Sequence, residues 1–227
     1  MFTLYSGPLS MFGAKAQIAA LEKGLPFELV MVPFDRDDRY QPRHPVVARV
    51  NPKEQVPVLV DGDLALFDST QIFEYLEDIA PEPALWPRAP RERARARRLE
   101  LESDEVFFPQ VIKLFGLQDA MDSPPAVAAC AACAHFYAQL EEGPLADGRT
   151  WLCGAYGFAD IALYMAHVFA HRKGAGMTGA TPRLVAWRDR MGERPAVRQV
   201  VGAMMRFLHA HQRPVPPFLQ GLLAEAA

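Results

Sequence analysis

The chain has 227 residues and a formal net charge of −3, with half its residues hydrophobic and 22% charged. That length suits one large domain or two small ones, with enough apolar residues for a substantial core. The near-neutral balance argues against nucleic-acid or anionic-membrane partners, no apolar run is long enough to span a bilayer, and three unevenly spread cysteines argue against a disulfide scaffold. The first ten residues, "MFTLYSGPLS", carry neither a basic head nor a signal-peptide apolar region, so the expected location is cytoplasmic.

Phe2 to Ser6 reads as a strand that Gly7-Pro8 ends. Phe12 to Lys23 reads as a helix with Phe12, Ala16, Ala19 and Ala20 on one face and Gly24 as its stop. "PFELVMVPF" is expected to be a buried strand. "RDDRYQPRHPVVARVNP" holds three prolines and little periodicity and reads as irregular. "VPVLVDGDLALFD" reads as a hairpin with its tight turn at Asp61-Gly62. "DSTQIFEYLEDIA" reads as an amphipathic helix with Ile72, Phe73, Leu76 and Ile79 inward and an Asp68–Gln71 capping box.

After Ala80 the texture changes. "PEPALWPRAPRER" has four prolines and reads as a linker, and only helical patterns follow it. Arg91 to Leu117 is long, with a break expected near Pro109. Ser123 followed by Pro124-Pro125 opens a helix that Gly143 closes. Phe158–Lys173, a helix opened by Thr181-Pro182, and Pro195–His211 complete the set. The expected organisation is a mixed domain over residues 1–82 and an all-helical domain over 91–227.

Three features of the first domain point to one chemistry. Ser10 stands between a strand and a helix, where the free N–H groups of the helix collect partial positive charge. Val56-Pro57 precedes a strand, and X-Pro is where a cis bond is cheap. A cis bond there would turn the Val56 backbone outward to pair with an extended peptide. Asp68-Ser69 opens another helix, a place where backbone N–H groups and a serine hydroxyl can hold a carboxylate while the aspartate holds an ammonium. Taken singly, each of the three reads as ordinary capping or edge chemistry.

"LYSGPLSMFGAK", "NPKEQVPVLVDGDLALFDSTQIFEYL", "WLCGAYGFADIALYMA" and "ERPAVRQV" together resemble glutathione S-transferases. The likeness is to the bacterial and serine- or cysteine-type classes, with an N-terminal motif similar to the theta, zeta and omega classes. It is most specific over residues 3 to 79. The resemblance implies a thioredoxin-like α/β domain of order βαβαββα followed by an all-α domain. It implies an enzyme that activates the thiolate of glutathione, its co-substrate, for attack on a small hydrophobic electrophile. Related isomerase and dehalogenase reactions and a role in detoxification belong to the same implication, as does a homodimer without metal, nucleic acid or membrane. On this resemblance Ser10 holds the sulfur, Val56 with Pro57 pairs with the cysteinyl backbone, Gln55 reaches the glycine end, and Asp68 and Ser69 take the γ-glutamyl head. Tyr5 is the rival hydroxyl, and Asp104 would reach a neighbouring subunit's glutathione. Where the family often has proline and a basic pair, this chain has Met11 and Gly13-Ala14 before Lys15, and Gly157 replaces the usual hydroxyl cap ahead of Asp160.

Two other readings stand beside this one. A non-catalytic scaffold would keep the fold as an interaction module. A thiol-disulfide enzyme is disfavoured by serine at position 10, since a hydroxyl forms no mixed disulfide. Cys130-Ala-Ala-Cys133 has redox spacing but falls within an alanine-rich helix, and His167 and His171 lack the glutamate of a zincin motif, so both pairs read as packing. "RERARARR" is followed by Glu100, Glu102, Asp104 and Glu105, which reads as a solvated or subunit-facing helix.

Overall fold

A computed structural model describes residues 1–34, 39–41 and 43–224. Part of the stretch read as irregular therefore lies outside the described residues. The chain forms two compact units, one of Met1–Leu85, Pro195–Arg213 and Gly221–Ala227, the other of Trp86–Arg194 and Pro214–Gln220.

The first unit is built on β1 (Phe2–Ser6), α1 (Met11–Glu22), β2 (Phe27–Met31), α2 (Pro45–Val50), β3 (Val58–Asp61), β4 (Leu64–Phe67) and α3 (Ser69–Ile79). This is the βαβαββα order, and the sheet runs β2-β1-β3-β4. β1 is parallel to β2 and antiparallel to β3, which is antiparallel to β4. Alternation along β1 sends Phe2, Leu4 and Ser6 to one face and Thr3 and Tyr5 to the other. Ser6 meets α1 through Gln17. Tyr5 joins the cluster of Val32, Val47 and Val58 on the α2 face. α3 packs on α1 and on β3 and β4, and α9 (Pro195–Ala210) packs on α1 as well. This is why α1 is buried almost all round rather than on one face, with Phe12 only half-buried.

Several expectations need correction. β2 is an edge strand, with Leu29 and Met31 exposed, because among the described residues it pairs with β1 alone. The two residues between the paired Asp61 and Leu64 are Gly62 and Asp63, so the turn falls one position later. Gly62 sits at φ +61, where glycine carries no Cβ penalty. Ile79 is exposed, whereas Ile72, Phe73 and Leu76 are fully buried. Within the irregular stretch lies α2: Pro45 opens it, and His44 Nδ1 accepts from Val46 N at 3.3 Å. The first part of the expected linker is pinned. Lys23 Nζ lies 2.6 Å from Glu77 Oε2 and donates to the carbonyls of Ala80 (2.7 Å) and Pro83 (3.1 Å), while Glu77 accepts from Leu85 N. All three ammonium hydrogens are thereby spoken for, as a buried charge requires.

In the second unit α4 (Pro90–Glu102) runs through a π turn (Ser103–Phe107) into α5 (Phe108–Phe115). The break falls just ahead of Pro109, which has no N–H to give and whose ring would meet the carbonyl four residues back. α6 (Pro124–Glu142), α7 (Phe158–Arg172) and α8 (Pro182–Glu193) follow. Every residue of α7 from Phe158 to Ala170 is buried, with α4, α5 and α8 packed against it. Asp160 anchors its start, accepting from Leu152 N (3.0 Å), Trp187 Nε1 (2.8 Å) and Gly157 N (3.0 Å). Burial pushes its carboxyl up to about 6 against the pull of these donors. On α4 the exposed pairs Arg95–Glu92 and Arg98–Glu102 suit a solvated face.

Candidate functional site

The register of the sheet gathers the candidate residues. Tyr5 lies opposite Val58, and Val58 opposite Phe67. Beyond that row β1 leads to Ser10, β3 is entered from Gln55-Val56-Pro57, and β4 leads to Asp68-Ser69. Three segments distant in sequence thus emerge at one end of the sheet. Ser6 of β1 is level with Met31 of β2, so β2 leaves the sheet at the same end.

Ser10 is buried and is the N-cap of α1, its Oγ accepting from Gly13 N at 3.0 Å. The capping role is therefore real, and it uses a lone pair while the O–H remains a donor group. Gly13 is required here. A Cβ on it would lie 2.1 Å from Ser6 Oγ and 3.1 Å from Ser10 Oγ, so the unusual glycine reflects the close approach of two serines. Gln17 Nε2 donates to Ser6 Oγ at 2.7 Å and to Gly13 O at 3.3 Å. Gly7 has similarly little room, since a Cβ there would come 2.4 Å from Tyr40 Oη, and Leu9 N donates to that hydroxyl at 3.3 Å. Tyr5 stacks obliquely on His44 at 5.1 Å within its valine cluster, which is a packing environment.

The Val56–Pro57 bond is cis, as its position before a strand led us to expect. Val56 is half-buried and Pro57 buried, while Gln55 is exposed. Asn51 shapes the approach: its Nδ2 donates to Gln55 O at 2.6 Å and its Oδ1 accepts from Lys53 N at 2.9 Å. Asp68 adopts φ +76, rare for a residue with a side chain, and its Oδ1 accepts from Thr70 N (3.0 Å) and Gln71 N (3.2 Å). Ser69, the first residue of α3, is buried. Sequence reading missed Ser6, Gln17, Tyr40 and Asn51. The Asn-Pro step was the one available signal for the last.

A cavity of about 370 Å³ opens in the same unit, walled by Gly7 and Pro8, by Gln17 of α1, by Met31 at the end of β2 and Val32 to Phe34 after it, and by Met204 and Phe207 of α9. Ser10 N donates to Gly7 O at 3.1 Å, so one short connection carries both the serine and a wall of the cavity. Of the cysteine and histidine pairs, Cys133 and His167 are buried packing residues, whereas Cys130 and His171 are half-buried. Burial, aided by Cys130, pushes the Cys133 thiol up to about 12, which makes it a poor nucleophile. His167 is fully buried and bonded to the Tyr137 hydroxyl at 3.0 Å. Among the described residues no cluster of three or more metal-ligating side chains occurs, and no helix is long and apolar enough to cross a membrane.

Comparison with known proteins gives a consistent picture. Residues 4–84 match the glutathione S-transferase N-terminal domain family. A stringent starvation protein A homolog of Coxiella burnetii is 37% identical over 108 residues, about half of each chain (48% and 49%). A glutathione S-transferase structure from Rhodospirillum rubrum F11 is similar at 29% identity and TM-score 0.74, covering 88% of this chain and 91% of that one. A Methylobacterium radiotolerans glutathione S-transferase, solved in complex with glutathione sulfonate, is similar at 28% identity and TM-score 0.72, covering 88% and 94%.

Proposed function

We propose that the chain, whose residues 4–84 match the glutathione S-transferase N-terminal domain family, is a glutathione S-transferase that binds glutathione across the gathered end of the sheet and activates it as a thiolate for attack on a hydrophobic electrophile. The observation that carries this reading is the register row Tyr5–Val58–Phe67, which brings Ser10, Val56 and Asp68-Ser69 to one end. From β1 to β4 is two strand spacings, about 10 Å, the reach of an extended tripeptide. The similar Methylobacterium radiotolerans protein was solved with glutathione sulfonate.

In this reading the Val56 N–H and C=O pair with the cysteinyl backbone and Gln55 meets the glycine end. Ser69 takes the γ-glutamyl carboxylate. Both cap bonds of Asp68 use Oδ1, and Oδ2 takes the ammonium. Ser10 donates its hydroxyl to the sulfur. A bond accepted from Gly13 polarises that hydroxyl and strengthens it as a donor. A thiol with a pKa of about 8.5 is only a few per cent ionised at pH 7. Lowering that pKa by roughly two units needs about 2.7 kcal/mol in favour of the anion. A hydrogen bond to a charged group supplies about 1.5–3 kcal/mol and a helix N-terminus roughly 0.3–1 more. One hydroxyl at this helix end is sufficient.

The apolar walls of the cavity suit the electrophile. A homodimer fits the exposed apolar residues of each unit, Leu64 and Phe67 on β4 and Leu101 and Val106 along α4 and the π turn. The second reading, a non-catalytic scaffold, is favoured by the likeness of about half of the chain to a stringent starvation protein A homolog, a name that states no transferase activity, and by the capping duty Ser10 already performs. Calorimetric titration with glutathione, followed by a panel of aryl halides, enones and maleyl compounds, separates the two. Saturable binding with turnover supports the enzyme. A folded protein that binds no glutathione supports the scaffold.

A further inference from the structure

Of the side chains that line the cavity, all are aliphatic or aromatic save one, Gln17, which is 4% exposed. Its orientation is fixed by chemistry. Nε2 makes two bonds, to Ser6 Oγ and to Gly13 O, and a backbone carbonyl can only accept, so the amide nitrogen must face the fold. Both amide hydrogens are consumed there. What Gln17 can still show the cavity is its oxygen, an acceptor among otherwise apolar side chains.

The aromatic walls are held in place independently of any ligand. Phe34 meets Phe207 edge-on at 5.9 Å and Tyr40 at 4.9 Å, and Phe207 stacks on His211 at 4.0 Å. Rings fixed in this way favour a flat partner. The volume, about 370 Å³, lies near the lower end of the roughly 300–1,000 Å³ typical of small-molecule sites, which suits one or two fused rings.

We infer that the cavity selects an aromatic ligand carrying a single hydrogen-bond donor, a phenol or similar hydroxyarene, whose O–H is received by Gln17 Oε1. This rests on the reading of the cavity as the second substrate's place, and it specifies that substrate's class. A donor-free arene of the same shape leaves the amide oxygen dehydrated and unpaired, and that penalty gives the discrimination.

The test is equilibrium binding of 2-naphthol, 2-methoxynaphthalene and naphthalene, followed by ligand fluorescence and calorimetry without glutathione. The wild type should bind 2-naphthol roughly three- to tenfold more tightly than its methyl ether, the range set by the net value of one hydrogen bond. Gln17→Met should bind the three alike. Ala203→Trp, a substitution at an exposed position of α9 on the cavity rim, should weaken all three together while leaving Gln17 untouched. Equal wild-type affinities for 2-naphthol and its ether would overturn the inference, as would a preference that survives in a folded Gln17→Met or an absence of binding. The wild-type comparison decides the matter even if Gln17→Met fails to fold. Because glutathione is absent, a failure here is distinct from a failure to bind glutathione, which would refute the proposed function instead.

Discussion

Replacing Ser10 separates its two duties. The Oγ accepts from Gly13 N at 3.0 Å, so Ser10→Ala removes an N-cap worth about 1 kcal/mol, while Ser10→Gly costs only a few tenths because glycine also caps well. Both variants lose the hydroxyl that would donate to sulfur. If that bond is worth about 1.5–3 kcal/mol, the pKa of bound glutathione rises by roughly one to two units in either variant. Conjugation near neutral pH then falls roughly ten- to a hundredfold. The expected pattern is equal loss of thiolate and activity in Ser10→Ala and Ser10→Gly, with unequal loss of stability. Thiolate ultraviolet absorbance of the glutathione complex against pH gives the first quantity, and urea unfolding gives the second. Glutathione affinity should persist, because Gln55, Val56, Asp68 and Ser69 are untouched. An unchanged titration in Ser10→Gly would refute the argument and make Tyr5 the next hydroxyl to replace.

In the helical unit, Asp160→Ala strands the N–H groups of Leu152, Gly157 and Trp187, and at about 1–3 kcal/mol each the loss should be roughly 3 kcal/mol or more. Asp160→Asn keeps an acceptor for Leu152 and Trp187 and should lose less; denaturant melts that show under about 1 kcal/mol for the alanine would contradict this. Burial holds the His167 imidazole well below its usual pKa of 6.5, with His171 and Arg188 adding to the effect. The unfolded chain therefore binds the extra proton first, and stability falls as pH drops below 6.5 by up to about 1.4 kcal/mol per pH unit. The raised Asp160 carboxyl works in the opposite sense between about 6 and 4, so the comparison must be with His167→Asn, which can still donate to Tyr137 but cannot ionise. The wild type should lose stability relative to that variant on acidification, and parallel curves would show that His167 is not the group responsible.

The parts of the fold that were legible in the sequence are those with a clear period or punctuation. β1 ends at Gly7-Pro8, α1 begins at Ser10, and α3 announces itself through Asp68 and the spacing of Ile72, Phe73 and Leu76. The apolar run of β2 could not reveal that it lies at a sheet edge, because position in a sheet is set by partners and not by composition. α2 was hidden because Pro45 was read as a breaker where it serves as a helix start. The pinned segment after Ala80 was read as a linker because Lys23 and Glu77 look like surface residues until they are found paired and buried. The site shows the same division. Ser10, Val56-Pro57 and Asp68-Ser69 carry local signals, whereas Ser6 and Gln17 are polar residues on buried faces whose meaning appears only when α1 is laid against β1.

The account rests on glutathione lying across the common end of β1, β3 and β4. Amide chemical-shift mapping of the labelled protein during titration with reduced glutathione tests this most directly. Saturable shifts should concentrate at Ser10 and its neighbours on α1, at Gln55 and Val56, and at Asp68 and Ser69, all fitting one dissociation constant. Saturable shifts confined to other surfaces, or none at millimolar glutathione with the fold intact, would contradict the account.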